Sequence, residues 1–198
     1  MGLIALEDPP RDGVDDTIFK MKRAGIKVVM ITGDNAITAQ VFFCISNRNS
    51  PAQSISRQVN LLSEPNVKTY STYSQLPIAE YKQDHAIVIH GAVVDHLTSD
   101  DWFNIFNYKE IVFARVLPTH KLDIVVRAQS LGHIVGVTGD GVNDSAALKQ
   151  ADLGIAMNSG SDISKESARM ILLDDNFNSA LKGIREGTFL LKPHNSLF

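Results

Sequence analysis

The segment Val137–Ser145 (Val-Thr-Gly-Asp-Gly-Val-Asn-Asp-Ser) constrains the fold of this chain more than any other. An apolar run at His133–Val137 enters a turn that carries glycines and two aspartates, and a helical pattern begins near Ser145. Glycines let backbone N–H groups approach an anion, and two aspartates at the carboxyl end of a strand suit Mg²⁺. The segment therefore predicts a strand–turn–helix unit with a phosphate or cation site. An Asx-rich turn that caps a helix is the alternative for such a segment alone.

A second turn of this kind follows the apolar run at Ile26–Ile31, which is typical of a buried parallel strand. The next residues offer the hydroxyl of Thr32 and the unhindered amide of Gly33. Asp34 or Asn35 can cap the helix that follows, and a helix N-terminus is a favourable place for a phosphate group. Taken alone, the stretch also fits an ordinary strand–turn–helix unit with a good cap.

A basic segment that begins at Arg115 follows a third apolar strand, Glu110–Ala114. Pro118 suits the first turn of a helix, so Lys121 is expected one turn into that helix, near the same carboxyl edge of the sheet. A lysine beside carboxylates and a phosphoryl oxygen compensates the charge that develops in phosphoryl transfer. A solvated helix lysine is the alternative.

Apolar runs and helical patterns alternate along the chain, which predicts a doubly wound α/β sheet. The predicted strands are Gly2–Leu6, Ile26–Ile31, Ala86–Ile89, Ile111–Ala114, His133–Val137, Leu153–Ala156 and Met170–Leu173. The predicted helices are Val14–Ala24, Ala36–Asn47, Ser99–Phe106, Thr119–Leu131, Ser145–Gln150, Asp162–Ala168 and Asn178–Leu191. Residues 48–83 are rich in Ser, Gln and Asn and contain three prolines, so we expect an exposed excursion from the core there.

The composition fits one soluble α/β core, because 44% of the 198 residues are hydrophobic. A formal charge of −3 disfavours a nucleic-acid partner, which would require a basic face. The single Cys44 excludes an internal disulfide and fits a reducing compartment. No run approaches about 18 uncharged apolar residues, and the N-terminus lacks a signal-peptide pattern, so we expect no membrane span in this chain.

Five segments, in order, resemble the phosphorylation domain of P-type cation-transporting ATPases, within the haloacid-dehalogenase-like superfamily. They are Asp8–Arg11, Gly25–Asp34, Val112–Lys121, Thr138–Asp144 and Met170–Phe177. The likeness is strongest to the sodium/potassium, proton/potassium and calcium pumps, and His90-Gly91 also fits that group. The resemblance implies a mostly parallel, doubly wound sheet that forms a partial domain over residues 1–187. Residues 188–198 form a divergent tail.

The resemblance also implies cofactors, namely Mg²⁺ and ATP, and the residues that meet the phosphoryl group. Asp140 would coordinate Mg²⁺, and Asp144 would hold the second shell of the metal site and pair with Lys121, with a purely structural role for Asp144 as the alternative. Asn143 would donate to the phosphoryl group, and two of its oxygens would be bound by the adjacent pair Thr32-Gly33.

Nucleotide contacts are implied for four further residues. Asp34 and Arg115 would face the ribose and phosphates, and Asp8 and Arg11 would make contacts on the hinge side. For the last two, a rigid linker turn with a surface ion pair is an equal alternative.

The family's phosphorylated aspartate lies in a D-K-T-G-T segment, and this sequence contains no such segment. Asp16 lies in a helical pattern with no strand before it, and Asp95 has the wrong spacing, so neither is expected to be a nucleophile. In the superfamily that nucleophile ends a central strand between those ending at Thr32 and at Thr138–Asp140. We therefore expect a gap in the sheet, filled by Gly2–Leu6 or left with exposed edges.

Two functions follow from the resemblance. The first is a part of the ATP-driven cation pump machinery that is inactive alone. Its partners would be nucleotide, phosphate and the rest of a P-type pump, with a nucleotide-binding domain and membrane helices, on the cytoplasmic side of a membrane. The alternative is a non-catalytic regulatory or binding module derived from such a pump, soluble and cytoplasmic if made as this chain alone. An independent phosphatase would need the missing aspartate.

Overall fold

The computed structural model describes residues 12–33, 61–62, 66–78 and 85–190. The helices in these ranges are α1 (Val14–Arg23), α2 (Gly91–Val94), α3 (Ser99–Asn107), α4 (Pro118–Ser130), α5 (Ser145–Gln150), α6 (Asp162–Ser167) and α7 (Phe177–Leu190). The strands are β1 (Val29–Ile31), β2 (Asn66–Tyr70), β3 (His85–His90), β4 (Ile111–Ala114), β5 (Gly136–Gly139), β6 (Leu153–Met157) and β7 (Met170–Leu172). Two 3₁₀ turns lie at Tyr73–Gln75 and Val142–Asp144. Within the described ranges, no helix combines the length and the apolar character that crossing a bilayer requires.

The strands form two sheets, and all of their pairings are parallel. The first sheet has the order β1-β4-β3-β2 and the second the order β5-β6-β7. In the first, Ile31 is in register with Phe113, and in the second, Thr138 is in register with Ile155. The predicted α/β class with a mostly parallel sheet is confirmed. The predicted strand Gly2–Leu6 and helix Ala36–Asn47 lie outside the described residues.

Two helices connect the sheets, one on each face. In α1, Ile18 packs with the β3 and β4 side chains of the first sheet, whereas Met21 packs with β6 and β7 of the second. In α4, Ile124 packs on the first sheet and Val125 packs beneath β5. The two helices meet alternate residues of β3 and β4, and alternate residues of a strand point to opposite faces. The sheets are therefore held between α1 and α4.

Within the described residues, the facing edges of β1 and β5 are not paired with each other, and the space between these edges is called here the β1–β5 slot. Both β1 and β5 stand at the end of their sheet, and no strand of the described residues pairs with their outer edges. Val28, next to β1, also packs with the second sheet, and Val135, next to β5, also packs with the first. The exposure of the residues agrees with this arrangement. All four residues of the central strand β4 are buried, whereas Ile134, just before β5, is 91% exposed. Whether Gly2–Leu6 fills the slot stays a prediction.

Strands β1 and β5 begin later than the sequence predicted, because neighbouring backbone groups bond elsewhere. The N–H of Ile26 donates to the carbonyl of Met21 at the end of α1, 3.0 Å away. The N–H of His133 closes the end of α4, and the N–H of Val135 donates to the carboxylate of Asp152 at 2.8 Å. The hydrogen bonds from the N–H of Val135 and from the side chain of Gln129 stabilise the ionised form of the exposed Asp152 and lower its pKa.

The described part of the predicted excursion, residues 48–83, contains a strand of the first sheet, although residues 71–75 after that strand are exposed. Its strand β2 pairs in parallel with β3, and Leu61 and Ile78 are buried. A buried carboxylate, Asp101 on α3, holds the end of this segment, since it accepts hydrogen bonds from the N–H of Ile78 (2.6 Å) and from the N–H and hydroxyl of Thr98. Burial works against the charge, but these hydrogen bonds outweigh it and lower the pKa of Asp101.

Candidate functional site

The carboxyl ends of the two sheets meet at one ion pair. Lys121, one turn into α4, follows β4, and Asp144 follows β5. Their Nζ and Oδ1 atoms are 2.5 Å apart, and both side chains are more than four-fifths buried. Because each residue lies just beyond the carboxyl end of its own strand, the pair brings those edges of both sheets to the same place.

Thr32 is tied to the same place through the backbone. Its N–H donates to the carbonyl of Phe113 at 2.9 Å, and its carbonyl accepts from the N–H of Val116 at 3.1 Å. A Cβ at Gly33 would lie 3.8 Å from the carbonyl of Val116, so the chain runs close to the connection that leads into α4. The end of β1 therefore lies beside the start of the Lys121 helix.

The turn after β5 is folded back on itself by Asp144. The second carboxylate oxygen of Asp144 accepts the N–H of Gly141 at 3.3 Å. A Cβ at Gly139 would lie 2.6 Å from the Cβ of Asp144, so only glycine leaves room for this close approach. The side chains of Asp140 and Asn143 remain exposed at the tip of the turn. The turn thus presents a carboxylate and an amide to solvent while Asp144 faces inward.

His120 is a site residue that the sequence analysis missed. Its side chain is buried, its Nδ1 accepts the N–H of Leu117 at 3.2 Å, and its Nε2 lies 3.1 Å from the carboxylate of Asp95. The imidazole therefore fastens the first turn of α4, which carries Lys121, to the end of α2. A histidine at the third position of a helix that starts with proline was the available signal.

The structure also shows where the two other candidate nucleophiles, Asp95 and Asp16, lie. Asp95 faces His120, and Asp16 lies in α1, where it pairs with Lys20 on the surface. Asp16 thus lies on a helix, and a short helix, α2, separates Asp95 from the end of β3.

Arg115 occupies an unusual backbone conformation just after β4. Its φ is 53°, in the left-handed region that non-glycine residues enter at a cost of about 1–2 kcal/mol. Its carbonyl packs so closely on Gly91 that a Cβ there would lie 2.0 Å from the oxygen. The side chain of Arg115 is exposed, so this backbone directs a guanidinium to solvent at the edge of the site.

The side chains around the turn after β5 offer few ligands for a metal ion. In the described residues there is no cluster of three or more His, Cys, Asp or Glu side chains with the spacing of a metal site. Asp140 offers a free-standing carboxylate, whereas both oxygens of Asp144 already accept hydrogen bonds. Mg²⁺ commonly binds through one or two carboxylates and completes its shell with water and phosphate oxygens. The residues present therefore fit Mg²⁺ held jointly with a ligand, with Asp140 as the protein's carboxylate.

The structure brings together, through hydrogen bonds and chain connection, six of the predicted residues: Thr32, Gly33, Lys121, Asp140, Asn143 and Asp144. Arg115 lies on the connection between them. Asp8, Arg11 and Asp34 lie outside the described residues. The roles assigned to all of these residues stay predictions.

Comparisons with known proteins agree on the class of fold. Residues 133–184 match the family described as haloacid dehalogenase-like hydrolase. Among solved structures, the catalytic domain of the CPx-ATPase CopB-B aligns with a TM-score of 0.52 and 22% identity, over 89% of this chain and 46% of that one. The chain is thus a haloacid-dehalogenase-like α/β protein.

Sequence relatives narrow the class. The chain is 47% identical over 195 residues to the sodium/potassium-transporting ATPase subunit alpha-4 of Rattus norvegicus, and 45% identical over 196 residues to the alpha subunit of Drosophila melanogaster. The alpha-4 subunit of Homo sapiens is 46% identical over 196 residues. Each match covers 96% of this chain but 18% of the relative, so the chain spans less than a fifth of their length. The chain belongs to the P-type ATPase family and corresponds to its phosphorylation domain.

Proposed function

We propose that this chain is part of the ATP-driven machinery of a cation pump, namely a phosphoryl- and Mg²⁺-binding portion of a phosphorylation domain. The observation that carries the proposal is the meeting of three strand ends at one edge. There, Thr32 follows β1, Lys121 follows β4, and the Asp140–Asp144 turn follows β5. Hydroxyl, ammonium and carboxylate groups at the carboxyl edge of a parallel sheet suit a phosphoryl ligand.

In this proposal different residues of the chain bind Mg²⁺, the phosphoryl group and the nucleotide. Asp140, exposed at the turn, contributes the carboxylate for Mg²⁺, which when bound would offset the charge of the phosphoryl oxygens. Asn143 and Thr32-Gly33 donate hydrogen bonds to those oxygens. Lys121 adds a positive charge, and Asp144 holds that charge in place at 2.5 Å. Arg115, Asp34, Asp8 and Arg11 would contact the nucleotide, ATP.

The β1–β5 slot supports a partner for this chain. We propose that the strand preceding a D-K-T-G-T aspartate, supplied by the rest of a P-type pump, enters the slot between β1 and β5. Its aspartate would then arrive between Thr32 and Asp140, where a covalent phosphoryl acceptor is needed. The nucleotide-binding domain and membrane helices of that pump, on the cytoplasmic side of a membrane, would be the further partners. Alone, the chain lacks the nucleophile and is inactive.

The edges of β1 and β5, which pair with no strand of the described residues, also favour a second candidate. A module that no longer catalyses would still bind an extended segment of another polypeptide along β1 and β5, and so act as a regulatory or binding partner derived from a pump. The two candidate functions differ in whether binding of a strand that carries the aspartate restores phosphoryl transfer from ATP.

Phosphorylation of the chain tests its inactivity. Incubation with labelled ATP and Mg²⁺, followed by acid precipitation, is expected to leave no hydroxylamine-sensitive label. Label that is retained on the wild type and lost on Asp95→Asn would contradict this expectation.

Addition of a peptide tests the missing strand. The peptide carries about five apolar strand residues followed by Asp-Lys-Thr-Gly-Thr, and the control peptide has Pro in the strand, which cannot donate to the ladder. We expect the peptide without Pro to slow amide exchange in β1 and β5, and the control peptide to leave it unchanged. Slower exchange together with ATP-dependent labelling of the peptide supports the pump part, and slower exchange without labelling supports the binding module. Equal effects of both peptides would refute strand pairing.

A further inference from the structure

The peptide group that joins Asp140 to Gly141 is held at both of its polar ends. Its carbonyl, on Asp140, accepts the N–H of Ser161 at 2.8 Å and lies 3.1 Å from the hydroxyl of Ser164. Its N–H, on Gly141, donates to Asp144 at 3.3 Å. A peptide group is planar, so holding both ends fixes its orientation.

The carbonyl side of this arrangement is built into the start of α6. Ser161 caps the helix by accepting the N–H of Ser164 at 3.2 Å, and the side chain of Ser164 is fully buried. The hydroxyl of Ser164 also lies 2.7 Å from the carbonyl of Ser161, so its single hydrogen has two acceptors within reach. A buried hydroxyl is costly unless it is paired, and here one of its partners is the peptide that follows the Asp140 side chain.

The space beside this carbonyl is also restricted. A Cβ at Gly160 would lie 3.0 Å from the carbonyl oxygen of Asp140 and 3.0 Å from the hydroxyl oxygen of Ser164. Both distances are tighter than most real contacts of a Cβ, so glycine leaves the carbonyl free to reach Ser161 and Ser164.

We propose that Ser161 and Ser164 are positioning residues that aim the carboxylate of Asp140. They hold the Asp140–Gly141 peptide from the carbonyl side, while Asp144, itself held by Lys121, holds it from the N–H side. The Cα of Asp140 belongs to this fixed plane, so the point from which its side chain extends is held before any ligand arrives. This inference rests on the proposed role of Asp140 as a Mg²⁺ ligand.

The reason for such positioning lies in the chemistry of Mg²⁺. The ion demands near-ideal octahedral geometry and gives up water reluctantly, so a single misdirected carboxylate binds it poorly. Groups that orient metal ligands typically account for about 10–100-fold in affinity. Because Ser164→Ala removes one of two donors to the carbonyl, we expect a loss near the lower end, about 10-fold.

Nuclear magnetic resonance of the whole chain provides the test, with Mn²⁺ as the probe because it suits the same oxygen ligands. Two readouts are recorded, the ¹³C shift of the Asp140 carbonyl without metal and the Mn²⁺ concentration that broadens the Gly139 and Gly141 amides. The matched control is Ser167→Ala on the same helix, since the exposed Ser167 hydroxyl donates to Ile163 and not to Asp140.

We expect Ser164→Ala to change the ¹³C shift of the Asp140 carbonyl and to raise about 10-fold the Mn²⁺ concentration that is needed to broaden the Gly139 and Gly141 amides. Ser167→Ala should match the wild type in both readouts. A moved shift with unchanged Mn²⁺ dependence would overturn the positioning role. Asp140→Asn tests the metal role separately, because unchanged broadening in that variant would overturn the proposed function and not the hydrogen bonding. If Ser164→Ala does not fold, Gly160→Ala decides, since its Cβ would lie 3.0 Å from the same carbonyl and 2.9 Å from the carbonyl of Met157, so that the turn beside Asp140 must shift. Wild-type Mn²⁺ dependence in a folded Gly160→Ala would overturn the inference.

Discussion

Replacing Lys121 with Met and Asp144 with Asn, singly and together, measures how strongly the ion pair holds the two sheet edges together. Charges about 4 Å apart attract by about 4 kcal/mol at the effective dielectric constant of 20 that suits such sites. A double-mutant cycle removes the desolvation of each single ion, and contacting pairs in such cycles couple by about 0.5–3 kcal/mol. This pair should lie toward the upper end of that range, because the two side chains are only 17% and 16% exposed. We therefore expect a coupling free energy of about 2 kcal/mol between the two positions in a double-mutant cycle.

The chain contains a matched control for this measurement. Lys20 and Asp16 form an ion pair one turn apart on α1, with side chains 57% and 58% exposed. Exposed pairs of this kind contribute about 0.3–0.5 kcal/mol, and salt screens them. The cycle Lys20→Met with Asp16→Asn should therefore give a small, salt-sensitive coupling.

Urea unfolding of the wild type and the six variants provides the coupling energies. The site pair should keep most of its coupling when salt is raised, and the surface pair should lose it. A site coupling no larger than that of the surface pair would show that Lys121 does not hold Asp144, and the account of the turn after β5 would then be wrong.

Two further outcomes follow from the structure. Asp101→Ala should lower the free energy of unfolding by about 3 kcal/mol, because it leaves the buried N–H of Ile78 unpaired and removes a helix cap, whereas Asp100→Ala in the same turn should cost far less. Since the folded pKa of Asp101 is lowered, its contribution should be present above about pH 4 and lost as the pH falls below it. Urea midpoints of wild type and Asp101→Asn should therefore converge in acid, and parallel midpoints would refute this. Without an added strand, amides of β5 should exchange faster than those of the fully buried β4, and equal protection in a monomer would contradict an open slot.

Local chemistry explains which elements the sequence predicted well. The bounds of β4 and α5 agree with the structure to the residue, because each is a short apolar or helical stretch limited by a clear turn. Lys121 was placed correctly in the first turns of α4, since Pro118 marks the first residue of that helix. In both cases neighbouring residues alone determine the outcome.

Long-range contacts explain what the sequence did not predict. Strand β2 (Asn-Val-Lys-Thr-Tyr) has little apolar character, and it belongs to the sheet because it pairs with β3 and because Asp101, 23 residues beyond Ile78, fixes the loop that follows. The parts played by His120 and Ser164 depend on partners 25 and 24 residues away. No spacing rule within one segment reveals such partners.

The two helices that bridge the sheets have a consequence for how the molecule unfolds. Because α1 packs on strands from both halves of the chain and α4 does the same on the other face, neither sheet can lose its helical cover without disturbing the other. Loss of α1 would expose apolar surface on both sheets at once. The molecule is therefore expected to melt in one cooperative transition, with the central amides of α1 and α4 exchanging only through global opening.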